Sequence, residues 1–249
     1  MGSIPIKTPA EIVKMRASAA VIKAAFEHIK PYVRNGISTL EIDAVLEEFI
    51  LSHGGKAAQK GYKGYPNASC TSVEETVVHG IPSYKRLKDG QIASVDIVVE
   101  KDGFHVDAAR TFRVGDVDEK RRNLMRTAEE AFFKAAEIIR PGTRIGDISS
   151  LIQSYCESRG YGVVRKLTGH GIGRRMHEAP EVPNFGKPGA GPILKAGMTI
   201  AVEPMITAGT FEVNTLRDGW TVVTADGQPA AHYENTVLVT ETGCEILTL

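Results

Sequence analysis

The stretch A-S-V-D-I-V-V-E-K-D-G-F-H-V-D-A-A-R-T-F, Ala93 to Phe112, decides how the rest of the chain is read. Two apolar, β-branched runs flank Asp102-Gly103, and Asp-Gly between such runs is a strong short-range hairpin signal. With Asp102 and Gly103 as the central turn residues, Lys101 faces Phe104 and Asp107 lies opposite Val98. Side chains alternate faces with period two, so Asp96 and Asp107 fall on one face as diagonal neighbours, roughly 7–8 Å apart at the backbone. That separation lets two carboxylates reach toward a shared cation, whereas a one-residue slip in register would send them to opposite faces. Two acids on otherwise apolar strands are costly to bury without a counter-charge. On this pattern alone, a shared cation and a pair of solvated edge acids stand open as equal readings.

The 249 residues suffice for a full core, in one large domain or two small ones. Thirty basic and thirty acidic residues balance to a net charge of 0, which predicts no global attraction to nucleic acid or to an anionic membrane. Cys70, Cys156 and Cys244 are too few and too scattered for a disulfide framework or a thiolate metal site. The N-terminus lacks the apolar run of a signal peptide, and no segment approaches the roughly 20 apolar residues of a spanning helix. A soluble, cytoplasmic protein is the expectation.

Outward from the hairpin, the chain reads as helices and strands in a repeated order. Thr8-Pro9-Ala10-Glu11 is a capping box with proline at the first helical position, and Ile12, Met15, Ala19, Ile22, Phe26 and Ile29 follow at helical spacing. Ser38-Thr39-Leu40-Glu41 offers a second box for a helix that stops near Gly54-Gly55. Residues 56–72 read as loop and short strand, and Val73 to Ile81 as a strand. Past the hairpin, Asp118 to Ile139 is helical, and a shorter helix runs from Ile145 to Tyr155, closing at Gly160. Pro141-Gly142…Asp147-Ile148…Gly160 matches Asn35-Gly36…Glu41-Ile42…Gly54 in spacing. Leu194-Lys195-Ala196-Gly197 stands ahead of Val202-Glu203 as Leu87-Lys88-Asp89-Gly90 stands ahead of Val95-Asp96, and His232-Tyr233-Glu234-Asn235 echoes His105-Val106-Asp107-Ala108. The pattern predicts two halves, roughly 1–116 and 117–249, each with two helices and a strand pair that delivers two acids, fused into a single domain by shared strands.

If the halves face each other, Asp96 and Asp107 meet Glu203 and Glu234. Four carboxylates in a sheltered site require cations, and two divalent ions would neutralise them. Leu167-Thr168-Gly169-His170-Gly171-Ile172-Gly173 adds an imidazole on a glycine-rich segment. Oxygen ligands with one histidine suit Mn²⁺, Fe²⁺, Co²⁺ or Zn²⁺, and paired ions that activate water recur in hydrolases.

The motifs His79-Gly80-Ile81-Pro82, Asp96 with Asp107, Thr168 to Gly173, His177-Glu178-Ala179-Pro180, Val202-Glu203-Pro204 and Tyr233-Glu234 together resemble those of type I methionine aminopeptidases, in order and across nearly the whole chain. The resemblance implies an α/β pita-bread fold, two pseudo-symmetric halves with a central, mostly antiparallel sheet covered by helices. It implies a metalloaminopeptidase that hydrolyses the N-terminal methionyl bond of peptides and nascent polypeptides. Residue by residue, it implies that Asp96 chelates one ion, that Asp107 and Glu234 bridge both, and that His170 and Glu203 complete the second. His79 would meet the scissile amide nitrogen, His177 the carbonyl oxygen, and Glu203 would double as a proton shuttle. Tyr62, Tyr65, Cys70 and Trp220 match positions that line the methionine pocket. A cytoplasmic monomer with no nucleic-acid or membrane partner, the ribosome as a candidate partner, and room for one monovalent cation near residue 74 complete the expectation.

Several positions depart from the family pattern. Gln59 stands where cysteine is common, Met176 where phenylalanine is frequent, Glu74 for asparagine, and Asn235 for histidine. His105 and His232 each sit two residues before a proposed ligand, but the resemblance gives them no role, and structural or supporting contacts are expected. His28 and His53 read as surface residues. Cys70 has no histidine partner in sequence logic and reads as a pocket hydrophobe, and Gly169-x-Gly171-x-Gly173 lacks dinucleotide-fingerprint spacing. X-Pro aminopeptidases and dipeptidases share the fold but usually carry a large N-terminal domain, and type II methionine aminopeptidases have a long insertion where about thirty residues separate Glu203 from Glu234. A peptide-binding relative without catalysis would be expected to show broken ligands.

Overall fold

Helix α1 (Pro9–Ile29) starts where its cap is written: Thr8 Oγ1 accepts the Glu11 N–H, and the Glu11 carboxylate takes the Thr8 N–H at 2.8 Å. Ser38 and Glu41 repeat the device at α2 (Thr39–Ser52). Asp118 caps α3 (Glu119–Ile138), and Asp147 takes the Arg144 N–H at 2.9 Å ahead of α4 (Ile145–Glu157). The structure, a computed structural model, describes residues 4–249.

Five strands precede α3: β1 (Lys56–Ala57), β2 (Cys70–Val73), β3 (Thr76–Val78), β4 (Ile92–Lys101) and β5 (Phe104–Arg113). Ten follow α4: β6 (Gly162–Val163), β7 (Thr168–Gly171), β8 (Glu178–Pro183), β9 (Thr199–Val202), β10 (Met205–Thr207), β11 (Val213–Thr215), β12 (Val222–Thr224), β13 (Ala230–His232), β14 (Glu234–Val239) and β15 (Cys244–Ile246). Nine of them form one antiparallel sheet in the order β1-β4-β5-β14-β9-β7-β8, with β2 on β4 and β15 on β14. From the β5–β14 seam the order runs outward alike on both sides, β5-β4-β2 and β14-β9-β7.

The β4–β5 hairpin has the predicted register, with Lys101 opposite Phe104 and Val98 opposite Asp107. Asp102 (φ 53°) and Gly103 (φ 81°) both take left-handed backbone, as a two-residue hairpin turn of this hand requires. The loops leading into β4 and β9 match bond for bond. Gly36 N–H donates to Leu87 O at 2.9 Å and Leu87 N–H to Ile37 O at 2.8 Å, while Gly142 N–H donates to Leu194 O at 3.0 Å and Leu194 N–H to Thr143 O at 2.8 Å.

Alternation sorts the two faces of the sheet. Val95, Ile97 and Val99 of β4 pack with Met15, Ile22, Leu46 and Ile50 of α1 and α2. Ile200, Val202, Val237 and Val239 of β9 and β14 pack with Leu124, Phe132, Ile148 and Ile152 of α3 and α4. The acids occupy the intervening positions and so point away from the helices. Val73 to Ile81 is not one strand: β2 ends at Val73, Glu74 turns with φ 56°, and β3 begins at Thr76 in a separate three-stranded sheet with β12 and β11. The Glu74 carboxylate accepts the Ile92 N–H at 2.8 Å and pairs with the Arg121 guanidinium, which fixes the turn. Among the described residues no helix is long and apolar enough to cross a membrane.

Candidate metal centre

Sheet register alone brings the acids together. Asp96 pairs with Ala109, and Ala109 with Glu234. Asn235 pairs with Val202, so Glu203, one residue beyond β9, falls opposite Glu234. Residues directly opposite one another share a face, so Asp96, Glu234 and Glu203 form one row, and Asp107, two residues from Ala109, joins it. Gly171 pairs with Ile200 on the helix-covered face, which turns His170 toward the acids. A Cβ at Gly169 or Gly171 would strike the carbonyl oxygens of Ala201 or Ala179, so glycine is what lets this strand lie close to its neighbours.

Atom by atom, the cluster is tight but not hydrogen-bonded through its centre. His170 Nδ1 lies 2.9 Å from its own strand's Gly171 O, which assigns the proton to Nδ1 and leaves the Nε2 lone pair facing inward. His170 Nε2 stands 3.6 Å from Asp107 Oδ2 and 3.7 Å from Glu203 Oε1. Ligand atoms of Asp107, His170 and Glu234 lie within 4.8 Å of one another, as do those of Asp96, His232 and Glu234. Glu234 therefore belongs to both groups. Asp107 Oδ1 and Glu234 Oε1 are buried without a hydrogen-bond partner, a costly state for a carboxylate that no cation meets.

Electrostatics point the same way. Burial, then the charges of Asp107 and Glu203, hold the Asp96 carboxyl well above its ordinary range. Burial and Asp107 do the same to Glu203, and burial with Asp107, Glu203 and Asp96 to Glu234. Such a cluster binds protons or cations, and divalent ions displace the protons. Unpaired carboxylate oxygens beside inward imidazole nitrogens are a donor set that divalent metal ions fit.

The same residues line a cavity of about 230 Å³, and every sequence-predicted site residue borders it: Tyr62, Tyr65, Cys70, His79, His177 and Trp220 as well as the four acids and the His170 imidazole above. His79 takes left-handed backbone (φ 57°), an uncommon conformation outside glycine, and its ring stands nearly perpendicular to that of Trp220 with centroids 6.3 Å apart. Burial lowers the His79 pKa, so the ring is neutral at physiological pH. His177 stands at the mouth, 4.1 Å from the His170 ring and stacked 5.3 Å from Tyr62, and desolvation with the nearby His170 lowers its pKa too. Tyr65 donates to Ser69 O and Gly80 O, each at 3.1 Å, and packs against Trp220 at 5.1 Å. Burial and the Asp96 charge push the Cys70 thiol up, which keeps it protonated, as a pocket hydrophobe rather than a nucleophile.

Four supporting residues were not singled out from sequence for these contacts. Gln59 Nε2 donates to Asp96 Oδ1 at 3.0 Å, so this departure from the family pattern holds a cation-facing carboxylate. Thr236 Oγ1 accepts the Asp107 N–H at 2.8 Å and donates to Asp107 O at 2.9 Å. Asn184 donates to Glu203 O at 2.9 Å. Arg110, seated 4.6 Å over the Tyr233 ring, donates to Glu234 O and, together with Thr248 Oγ1, to Asn235 Oδ1. Arg110 and Thr236 could have been flagged by their place in the strands that carry Asp107 and Glu234, whereas Gln59 and Asn184 lie outside the strands, and Gln59 stands out only as a departure from the family pattern. His105 and His232, alike in sequence, part company: His105 Nδ1 meets Gly173 O at 3.1 Å outside the cavity, whereas His232 borders it. Burial lowers the His232 pKa to about 3. Near residue 74, Arg121 already supplies the positive charge that a monovalent cation would bring.

The model of metallopeptidase family M24 matches residues 13–241. A methionine aminopeptidase of Clostridium perfringens is 51% identical over 246 residues, 99% of either chain. The crystal structure of methionine aminopeptidase from Rickettsia prowazekii superposes with a TM-score of 0.98 at 42% identity, covering 99% of this chain and 100% of that one. Prolidase from Pyrococcus furiosus shares the fold with a TM-score of 0.80 at 24% identity, but this chain spans 65% of it. With its pita-bread sheet and the acid row at its centre, the chain belongs to the M24 metallopeptidases, in their type I methionine aminopeptidase branch.

Proposed function

We propose that this chain removes N-terminal methionine from peptides and nascent polypeptides, with Asp96, Asp107, His170, Glu203 and Glu234 holding two divalent ions. The observation that carries the reading is the convergence of those side chains on one cavity that Tyr65, Cys70 and Trp220 also line. When bound, the ions supply water activated at neutral pH and a Lewis acid for the scissile carbonyl. Asp96 and Glu234 would hold one ion, Asp107 would join Glu234 in holding both, and His170 with Glu203 would complete the second. Which of cobalt, manganese, iron or zinc is used depends on affinity order and cellular supply.

The remaining residues position the substrate. Aromatic faces and the Cys70 sulfur suit a flexible thioether side chain. Asp96 draws the free amine, which restricts cleavage to a chain end. Neutral His177 donates to the carbonyl oxygen as charge develops there, and neutral His79 contacts the scissile amide nitrogen. Glu203, ionised once the ions displace its proton, takes a proton from water and passes it to the departing amine. The resemblance extends the reading to a cytoplasmic monomer that meets its substrates near the ribosome.

Hydrolysis of Met-Gly-Met-type peptides, chelated protein against protein with added Co²⁺, Mn²⁺, Fe²⁺ or Zn²⁺, tests this. Metal-dependent release of methionine is expected, with little from non-Met or X-Pro peptides. Preference for X-Pro substrates would move the chain to the prolidase activity, and no turnover with any ion would leave a peptide-binding protein.

A further inference from the structure

The His232 imidazole has no partner for either ring nitrogen, although the residue is only 2% exposed. A buried imidazole ordinarily satisfies at least one nitrogen with backbone, carboxylate or water. Its backbone is firmly held: Thr111 Oγ1 accepts the His232 N–H at 3.1 Å and donates to its carbonyl at 2.8 Å. The ring is thus fixed against the acid row without a hydrogen bond to it. His232 Nε2 stands 3.6 Å from Glu234 Oε2 and 3.9 Å from Glu203 Oε2. His170 Nε2 keeps nearly the same spacing to its own carboxylates, 3.6 and 3.7 Å. These gaps are long for hydrogen bonds, but two ligand atoms that each lie about 2.0–2.2 Å from one ion end up about 3–4 Å apart. The two groups of ligand atoms are also built alike, each with one aspartate, one histidine and the common Glu234.

We propose that His232 is the nitrogen ligand of the ion served by Asp96 and Glu234, as His170 is of the ion served by Asp107 and Glu234. The roles carried over from the family leave that first ion with oxygen donors alone, so the inference rests on the metal-dependent reading above and refines it. Two imidazole-bearing sites favour the borderline ions Zn²⁺, Co²⁺ and Fe²⁺ over Mn²⁺ more than a site of oxygens alone does.

The test removes the other histidine. His170→Ala, or His170→Gln should the alanine variant not fold by circular dichroism, is titrated with one equivalent of Mn²⁺. Pulsed EPR then reads nitrogen hyperfine coupling on the bound ion. A persistent imidazole coupling is expected, lost when His232→Gln is added, with His232→Gln alone weakening one of two Mn²⁺ sites by about tenfold or more in calorimetry. Mn²⁺ bound without nitrogen coupling in the His170 variant would overturn the proposal. So would failure of that variant to bind Mn²⁺ while the parent chain binds it. Failure of the parent chain to bind any divalent ion would instead remove the metal-dependent reading itself.

Discussion

The two halves deliver acids to one wall by unlike means. In the first, Asp96 and Asp107 stand on the two strands of a single hairpin, with only Asp102 and Gly103 between the strands. In the second, Glu203 and Glu234 are neighbours across the β9–β14 pair, yet residues 204–233 intervene and build β10 to β13. That excursion carries Met205, Trp220 and His232 to the cavity. Antiparallel register, not loop length, sets where a strand side chain points. Equal placement of the acids is therefore compatible with unequal loops: the short turn gives a stiff frame, and the long excursion shapes what the frame acts on.

The comparison is most severely tested at Glu234, the one residue common to both ligand groups. Glu234→Gln should lower kcat/KM by on the order of 10³-fold or more, because a lost ion forfeits several kcal/mol of transition-state stabilisation. Asp107→Asn, from the other half, should match it, with circular dichroism unchanged in both. Wild-type-like methionine release by either variant would break the idea that the halves converge on shared ions. Next in size, His177→Ala should cost about 10²-fold, the scale of losing one donor to a developing oxyanion. His105→Ala, whose ring serves only Gly173 O, should stay within a few-fold on the same assay. Equal losses would mean that the wrong histidine faces the substrate.

Local chemistry explains which parts of this were legible in the sequence. The hairpin with its Asp96–Asp107 pair and both serine or threonine capping boxes follow from turn residues, caps and period-two alternation, all of which act over a few positions, while the meeting with Glu203 and Glu234 was legible only through the internal repeat. The pocket residues came from family resemblance, since nothing local says that Tyr65 and Trp220 meet. The break at Glu74 was invisible because Val73 to Ile81 is apolar enough for a strand, and the groups that hold the turn, the Ile92 N–H and Arg121, lie further along the chain. His105 and His232 have identical spacing to an acid. Their different fates depend on what packs beside each strand, Gly173 in one case and the Glu203–Glu234 pair in the other.

A smaller effect asks whether acids from both halves share one pool of protons. Asp96, Glu203 and Glu234 have raised pKa values in the folded, metal-free chain, whereas unfolded carboxyls titrate near about 4. A raised carboxyl contributes stability that is full below the unfolded pKa and lost as pH rises through the folded one. Chelated protein should therefore weaken as pH rises above about 4, and divalent ions, which replace those protons, should restore more Tm near about pH 8 than near about pH 5. The lowered His79 and His232 work in the opposite sense, costing stability as pH falls below about 6.5. Thermal melts of chelated and Mn²⁺-loaded protein at the two pH values read this directly. An equal Tm gain at both would mean that the acids are not protonated in the metal-free fold.

The smallest effect separates frame from excursion. Gly103 (φ 81°) and Gly219 (φ 78°) both take left-handed backbone, and at both a Cβ would meet nothing within 4 Å. Alanine at either position therefore carries the same local penalty, about 1–2 kcal/mol for an L-residue in that conformation. The consequences should differ. Gly103 closes the hairpin far from the cavity lining, so Gly103→Ala should lower the denaturation midpoint and leave KM for a Met-first peptide unchanged. Gly219 directly precedes Trp220, which packs on Tyr65 and His79, so a backbone shift there moves a pocket wall. Gly219→Ala should raise KM several-fold at similar stability cost, with kcat little changed because the acid row does not move. If Gly103→Ala raised KM instead, the hairpin would be coupled to substrate binding, and the division of labour between the halves would fail.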